Sequence, residues 1–329
     1  MATSVNTAFK EFNKEFIDLL KERTDRARSS RNWLYGQLNS LDSKEDLNFP
    51  FKYEMQHINY GSFERRTKIR ELDDVDLMFC LVADGARYTK PDFSNTYTIH
   101  TTNAGERLKN LSDSNILNST RVVNKFKNSL SQIEHYKSAE LHSRGEAATL
   151  SLLSYEWVFD IVPCFYTDTE LYLIPDGKGN WQPTDPRIDQ NRITIANQEN
   201  KGLVLQLTRT LKYWNRRNST HTISSYLFEN IVINFVNSKA VLNDYNDINI
   251  RDFFYYLIAA ILNSVYDPKG FQGDLNTYTF AEQEAISRKA DWAYEMAKEA
   301  EYAELTEKDQ KKSISLWREI FGNDFPIYG

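Results

Sequence analysis

Two cysteines in 329 residues are too few for a disulfide framework, and both Cys80 and Cys164 lie inside apolar stretches. That usage suits a reducing cytoplasm. The N-terminus lacks the apolar core of a signal peptide, and no run of about 18 apolar residues occurs anywhere. A cytoplasmic protein with no membrane partner is therefore expected. Basic excess is also missing: 40 Lys and Arg stand against 46 Asp and Glu, a net charge of -6. Proteins that grip duplex nucleic acid usually carry the opposite balance, so no duplex activator is expected. Glycine (12) and proline (8) are scarce while Tyr (19) and Phe (19) are plentiful, which excludes fibrous and disordered classes. No repeat or low-complexity tract is visible. What remains is ordinary globular composition, 41% hydrophobic and 26% charged, at a length that suggests two lobes or one large unit.

Residues 5–40 carry Phe9, Phe12, Phe16, Leu19 and Leu20 at helical spacing and predict one long helix. After a break at 43–50, strand signals occupy 53–60 (YEMQHINY), 74–82 (DVDLMFCLV), 147–153, 156–166 (EWVFDIVPCFY) and 170–175. Residues 84–102 read as a polar loop. Val122, Phe126, Leu130 and Ile133 predict a helix over 121–136. From about 190 the chain turns helical, with helices expected at 198–217, 224–238, 250–265, 279–303 and 308–321. The order is one helix, a mixed α/β part, then an all-helical part: an α+β protein. A soft boundary falls near 188, giving an α/β lobe over 1–188, whose first helix spans both lobes, and a helical lobe over 189–329.

Three pieces carry chemistry: Gly61-Ser62, Asp74-Val75-Asp76, and Asp160. Alternate residues of a strand share a face, so Asp74 and Asp76 point one way and Val75 and Leu77 the other. Two carboxylates on one face repel unless a cation sits between them, and Mg²⁺ prefers hard oxygen ligands and phosphate oxygens. Asp160, flanked by Phe159 and Ile161, is costly in an apolar strand unless paired or metal-bound. A two-metal site follows, with ions roughly 3.5–4 Å apart. All three aspartates would hold the ion that acidifies a ribose hydroxyl, and Asp74 with Asp76 the ion beside the triphosphate. Gly61 permits close backbone approach, and the Ser62 hydroxyl with nearby N–H groups can bind phosphate oxygens. Each piece has a plain alternative: a solvated Asp pair, a salt-bridged core Asp, a simple turn. The order and spacing of all three favour the chemical reading.

The stretch GSFERRTKIRELDDVDLMF, with FDIVPCF further on, resembles the bacterial cyclic-oligonucleotide synthases of anti-phage defence. These are relatives of animal cyclic GMP-AMP synthase and oligoadenylate synthetase. WQPTDP (181–186), LKYWNRR (211–217), SSYLFE (224–229) and WREIFGNDFP (317–326) fit the same family, so the likeness spans almost the whole chain. The resemblance implies a polymerase-β-type nucleotidyltransferase lobe with a mixed sheet, and a helical lobe, bridged by the long N-terminal helix. It implies that Asp74, Asp76 and Asp160 are metal-binding catalytic aspartates for two Mg²⁺, with Mn²⁺ as a substitute. Gly61 and Ser62 match the phosphate-contacting turn, Lys212 and Ser225 match triphosphate contacts, and Tyr226 matches an aromatic that stacks on a base. By residue type alone Lys212 reads as a solvated helix residue and Tyr226 as a core aromatic.

The implied activity is the joining of nucleoside triphosphates into a cyclic di- or trinucleotide second messenger, with release of pyrophosphate. Other readings are a linear oligonucleotide synthase, a transferase of single nucleotides to a protein or small molecule, and a non-catalytic nucleotide-binding regulator. A zinc insertion like that of the animal DNA sensor is not expected, because no His lies at ligand spacing from Cys80 or Cys164 and the five histidines are scattered. The resemblance also implies a downstream effector that binds the product. A companion conjugating protein acting at Gly329, on a mobile tail, is a further expectation.

Overall fold

The computed structural model describes residues 2–90, 94–217 and 221–329. The chain divides into two compact units: Met1–Leu19, Arg65–Arg70 and Ile188–Gly329 form one, and Leu20–Glu64 with Glu71–Arg187 form the other. The expected division at 188 thus misses two short pieces, 1–19 and 65–70, that belong to the helical unit.

Among the described residues the strands are β1 (Ile58–Asn59), β2 (Asp74–Leu81), β3 (Arg87–Thr89), β4 (Thr98–His100), β5 (Ser112–Asp113), β6 (Ile116–Leu117), β7 (Glu140–Arg144), β8 (Ala147–Ser151), β9 (Val158–Tyr166), β10 (Tyr172–Pro175) and β11 (Trp181–Thr184). The α-helices are α1 (Val5–Phe12), α2 (Lys21–Asn39), α3 (Gly61–Glu64), α4 (Glu106–Lys109), α5 (Ser119–Leu130), α6 (Pro186–Glu199), α7 (Leu203–Arg217), α8 (Ser225–Asn237), α9 (Asn246–Ala260), α10 (Phe280–Leu305) and α11 (Gln310–Phe321). No helix among them is long and apolar enough to cross a membrane.

In the α/β unit a mixed sheet runs β1-β2-β9-β10-β11, with β8 on the early half of β9 and β7 beyond it. Among the described strands only β2 and β9 pair in parallel. Their odd-numbered residues, including Leu77, Phe79, Phe159 and Ile161, are buried. Phe79 and Phe49 both lie against Phe126 of α5, with ring centroids 5.5 and 4.8 Å away. The even-numbered face bears Asp74, Asp76 and Asp160 first, then an apolar cluster of Met78, Cys80, Val162, Cys164, Tyr172 and Ile174. The two thiols sit side by side in register, fully buried and free, and burial pushes the Cys164 thiol up. The expected strand over 53–60 is a 3-10 turn (Glu54–Gln56) followed by only two strand residues. The polar loop over 84–102, whose residues 91–93 lie outside the described ones, contains β3 and β4 of a second antiparallel sheet, β3-β4-β6-β5. The helix over 121–136 ends at Leu130.

In the helical unit α1 buries Val5, Ala8, Phe9 and Phe12. Phe9 meets Trp317 and Phe325 edge-on, both at 5.0 Å. Ala290, Ala293, Ala297, Ala300 and Ala303 make a small-residue stripe on α10 that lets α9 and α11 approach closely. The segment over 5–39 is helical but not one helix. A π turn (Asn13–Ile17) follows α1, and Asp18 and Leu20 are extended before α2. The break frees carbonyls that Arg70 then takes up: its guanidinium donates to the carbonyls of Lys14, Glu15 and Asp18, and its N–H to that of Ile17. The apolar spacing misled beyond Phe12, since Phe16 and Leu20 are 39% and 52% exposed. The expected helix over 198–217 is two, because Gly202 takes a left-handed φ of +87° between α6 and α7.

His57, one of the five scattered histidines, pins the sheet. Its Nδ1 accepts the Cys80 N–H at 3.0 Å, so the proton sits on Nε2, 3.0 Å from Asn39 Oδ1. Burial, with Lys52 adding to it, lowers its pKa to about 4. Unfolding restores an ordinary value near 6.5, so His57 contributes stability that is whole above about pH 6.5 and lost as pH falls towards 4. We predict that wild-type stability declines over this window by on the order of 2 kcal/mol, after discounting for the ring's partial exposure. His57→Gln should be less stable at pH 7.5 and flatter between pH 6.5 and 4. Parallel pH profiles in chemical denaturation would remove His57 from this role.

Candidate functional site

The α/β unit collects five of the residues singled out in the sequence: Gly61, Ser62, Asp74, Asp76 and Asp160. In the β2–β9 ladder Asp76 is directly opposite Asp160 and Asp74 opposite Val158. Neighbours across a parallel ladder point to the same side, and Asp74 shares that side with Asp76 by strand alternation. All three are part-exposed while the flanking Val75, Leu77, Phe159 and Ile161 are buried. Adjacent strands run about 4.8 Å apart, so Asp76 and Asp160 are held side by side by backbone alone.

Gly61 begins α3 with a left-handed φ of +77°, and a Cβ there would fall 1.8 Å from Asp76 Oδ2. The glycine backbone therefore lies directly against the carboxylate. Glu64, three residues on, accepts Arg31 Nη1 of α2 at 2.8 Å, and Phe63 is buried, so the turn is held from both sides. Two further residues at this site were not found from sequence. Thr149 of β8, opposite Asp160, donates its hydroxyl to Asp160 Oδ1 at 2.7 Å. Tyr60, just before Gly61, has its phenol held well above the ordinary tyrosine range by burial, with the charges of Asp76, Glu146 and Asp160 adding to the shift. It stays a protonated donor. Tyr60 precedes the turn and Thr149 falls on an alternating strand position, but neither type stands out without the pairing partner.

Among the described residues no group of three or more His, Cys, Asp or Glu closes into a ready-made metal cage. Mg²⁺ does not require one, since it binds through one or two carboxylates together with water and substrate phosphates.

The helical unit carries Lys212, Ser225 and Tyr226. Lys212 is not a solvated helix residue: it is 8% exposed and its ammonium lies 2.7 Å from Glu229 Oε1. The same carboxylate takes Arg65 and the Thr67 hydroxyl, each at 3.0 Å, and these cations hold the Glu229 pKa low despite burial. A triphosphate contact from Lys212 would share its ammonium with Glu229. Ser225 is exposed at the first turn of α8. Tyr226 is not a plain core aromatic. Its phenol is 2.8 Å from Asp267 Oδ1, 3.0 Å from Asp189 Oδ1 and 2.5 Å from Lys269 Nζ. Gly329 is exposed, and the tail is not loose: Tyr328 bridges Ala2, and the Gly329 N–H donates to the Ala2 carbonyl at 3.3 Å.

No family model matches the chain. A protein of Bacillus cereus (strain VD146) described as a probable cyclic nucleotide synthase is 44% identical, over 100% of this chain and 99% of its own. Among solved structures, CdnC of E. coli MS115-1 with ATP matches with a TM-score of 0.70 and 18% identity over 98% of both chains. The same protein is also solved in a HORMA-deltaN complex. The cyclic AMP-GMP synthase DncV of Vibrio cholerae matches with a TM-score of 0.69 and 12% identity, over 99% of this chain and 98% of its own. At such identities the structural likeness is one of fold, and it is the α+β fold expected from the sequence. The full-length relative goes further, and with it the chain belongs to the bacterial cyclic nucleotide synthases, which are nucleotidyltransferases.

Proposed function

We propose that this protein joins nucleoside triphosphates into a cyclic di- or trinucleotide second messenger for anti-phage signalling, releasing pyrophosphate. The observation that carries the reading is Asp76 paired in register with Asp160, with Asp74 on the same face and the Gly61 backbone against the Asp76 carboxylate. Three carboxylates without His or Cys are a hard-oxygen donor set, which fits Mg²⁺, with Mn²⁺ in its place. In this proposal Asp74, Asp76 and Asp160 together hold one ion, and Asp74 with Asp76 holds a second. When bound, such ions supply Lewis acidity to an attacking ribose hydroxyl and neutralise charge on the leaving pyrophosphate.

The protein's own contribution is positioning. Thr149 occupies one oxygen of Asp160 and so fixes the direction of the other. Gly61 leaves the Asp76 carboxylate the space that a Cβ would take. Ser62 and the α3 turn are proposed to take phosphate oxygens, Lys212 and Ser225 to hold the triphosphate, and Tyr226 to stack on a base.

The direct test supplies the pure protein with all four nucleoside triphosphates and Mg²⁺ or Mn²⁺, followed by phosphatase treatment and mass analysis. A phosphatase-resistant product without free ends is expected, and a product that phosphatase degrades stepwise would rule out ring closure. Asp76→Asn and Asp160→Asn should each lower turnover by at least about a hundredfold with little change in melting temperature. Retained turnover in the double variant would overturn the assignment.

Gly61 allows a sharper prediction. Gly61→Ala meets both backbone strain and the Asp76 carboxylate, whereas Gly202→Ala meets the same kind of strain, at φ +87°, with nothing within 4 Å. Each should lose about 1–2 kcal/mol of stability, but only Gly61→Ala should lose turnover beyond what its unfolding accounts for. Equal activity in the two variants would show that the close approach of Gly61 to Asp76 has no part in the reaction.

A further inference from the structure

The phenol of Tyr226 is met by three charged side chains from outside its own helix. Asp189 comes from the first turn of α6, and Asp267 and Lys269 from the turn that follows α9. Lys269 donates to Asp189 Oδ2 at 2.9 Å and to the Tyr226 oxygen at 2.5 Å. A phenol has one proton and two lone pairs. The ammonium fills one lone pair, and the proton goes to Asp267 Oδ1 at 2.8 Å or Asp189 Oδ1 at 3.0 Å. Asp267 is itself immobilised: its carboxylate accepts the N–H groups of Lys269, Phe271 and Gln272. The three charged side chains are 0–10% exposed, so this cluster is not a solvated surface network.

Two carboxylates and one ammonium carry a surplus negative charge in a buried place. Such clusters contribute little net stability compared with apolar packing of the same volume, and a tyrosine needed only for the core would be held more simply by apolar neighbours. What the cluster supplies is direction. It pins the far end of the ring from several sides, with Lys269 Nζ 2.5 Å from the phenol oxygen and 4.1 Å from the ring centroid, at the hydroxyl end of the ring. Tyr226 remains part-exposed.

We propose that Lys269, clamped by Asp189 and Asp267, is a positioning residue that holds the Tyr226 ring as a stacking platform for the base of a bound nucleoside triphosphate. Lys269 holds the ring by its hydroxyl end, and the base stacks on the ring so oriented. The inference rests on the reading of Tyr226 as the base-stacking residue, and its test separates the two.

The test is equilibrium titration of the full chain, in Mg²⁺, with α,β-methylene-ATP and with inorganic tripolyphosphate as a base-free probe. Tyr226→Leu should weaken the ATP analogue about tenfold or more, and Lys269→Met about tenfold, with tripolyphosphate within about twofold in both. Lys269→Met should add nothing in the Tyr226→Leu background, because both act on one stack. Tyr226→Phe keeps the ring, loses the phenol and is the milder variant. It should show a several-fold loss confined to the ATP analogue, and it carries the test if Lys269→Met does not fold. Lys269→Arg should restore most of the affinity. An unchanged ATP analogue in Tyr226→Leu would sink the stacking reading itself. Loss in Tyr226→Leu with none in Lys269→Met or Tyr226→Phe would sink the positioning role alone. Equal loss for both probes in Lys269→Met would show that the cluster only supports the fold, and would also overturn the proposal.

Discussion

The candidate site depends on one backbone arrangement, the parallel pairing of β2 with β9 in a register that sets Asp76 beside Asp160. Two like charges about 5 Å apart repel by roughly 3 kcal/mol at an effective dielectric near 20. The pairing holds because the opposite face of the same strands is fully apolar. Val75, Leu77, Phe79, Phe159 and Ile161 are all completely buried. A slip of one residue would turn each carboxylate into that core and each apolar side chain out of it. The core on one face therefore specifies the acids on the other. The aspartate face is apolar too beyond its first rungs, where Met78, Cys80, Val162 and Cys164 close over. Acidic character is confined to the start of the two strands, where they open to solvent.

Around those rungs three groups of the α/β unit each have a definite direction. Thr149 donates to Asp160, the Gly61 backbone abuts Asp76, and the half-buried Tyr60 phenol stays protonated near both. None of the three contributes positive charge. A site built this way fixes the direction of its acids, which the strand pairing turns to one side. Phosphoryl transfer asks for little more from a protein than such positioning. His57 plays the matching part on the backbone. By taking the Cys80 N–H and donating to Asn39 it ties β2 to the C-terminal end of α2 without adding charge.

Legibility from sequence followed the periodicities. Asp74, Asp76 and Asp160 could be placed on one face because β2 and β9 alternate cleanly at their starts, and Gly61-Ser62 could be placed before them by order alone. The helices from α7 to α11 were foreseen within a few residues, because their apolar positions repeat at helical spacing. Other features lay outside what one segment encodes. The break at Asp18–Leu20 is stabilised by Arg70, more than fifty residues away, and Phe16 and Leu20 continued an apolar spacing whose side chains are in fact exposed. Strands β3 to β6 are only two or three residues long, too short to show an alternation, and exist only as mutual pairs. Lys212 and Tyr226 were misjudged by residue type because their surroundings are charged partners, Glu229 in one case and Asp189, Asp267 and Lys269 in the other. Thr149 and Tyr60 became visible only with the strand pairing.

Those two charged hubs have a common logic in the helical unit. Glu229 and Tyr226 both belong to α8, one turn apart on the same helix, and each gathers side chains from other segments. The start of the helix is fixed further. Asn215 exchanges two hydrogen bonds with the backbone of Ile223, and the Ser224 N–H donates to the Tyr278 hydroxyl. Buried ion pairs yield little net stability, and apolar packing alone would suffice to keep α8 in the core, as Leu227, Phe228 and Ile231 already do. Apolar packing tolerates small rotations of a helix, however, whereas a carboxylate shared by two cations and a hydroxyl does not. The polar clusters therefore make the most sense as devices that fix the rotation and the first turn of α8, the stretch on which Ser225 and Tyr226 are presented.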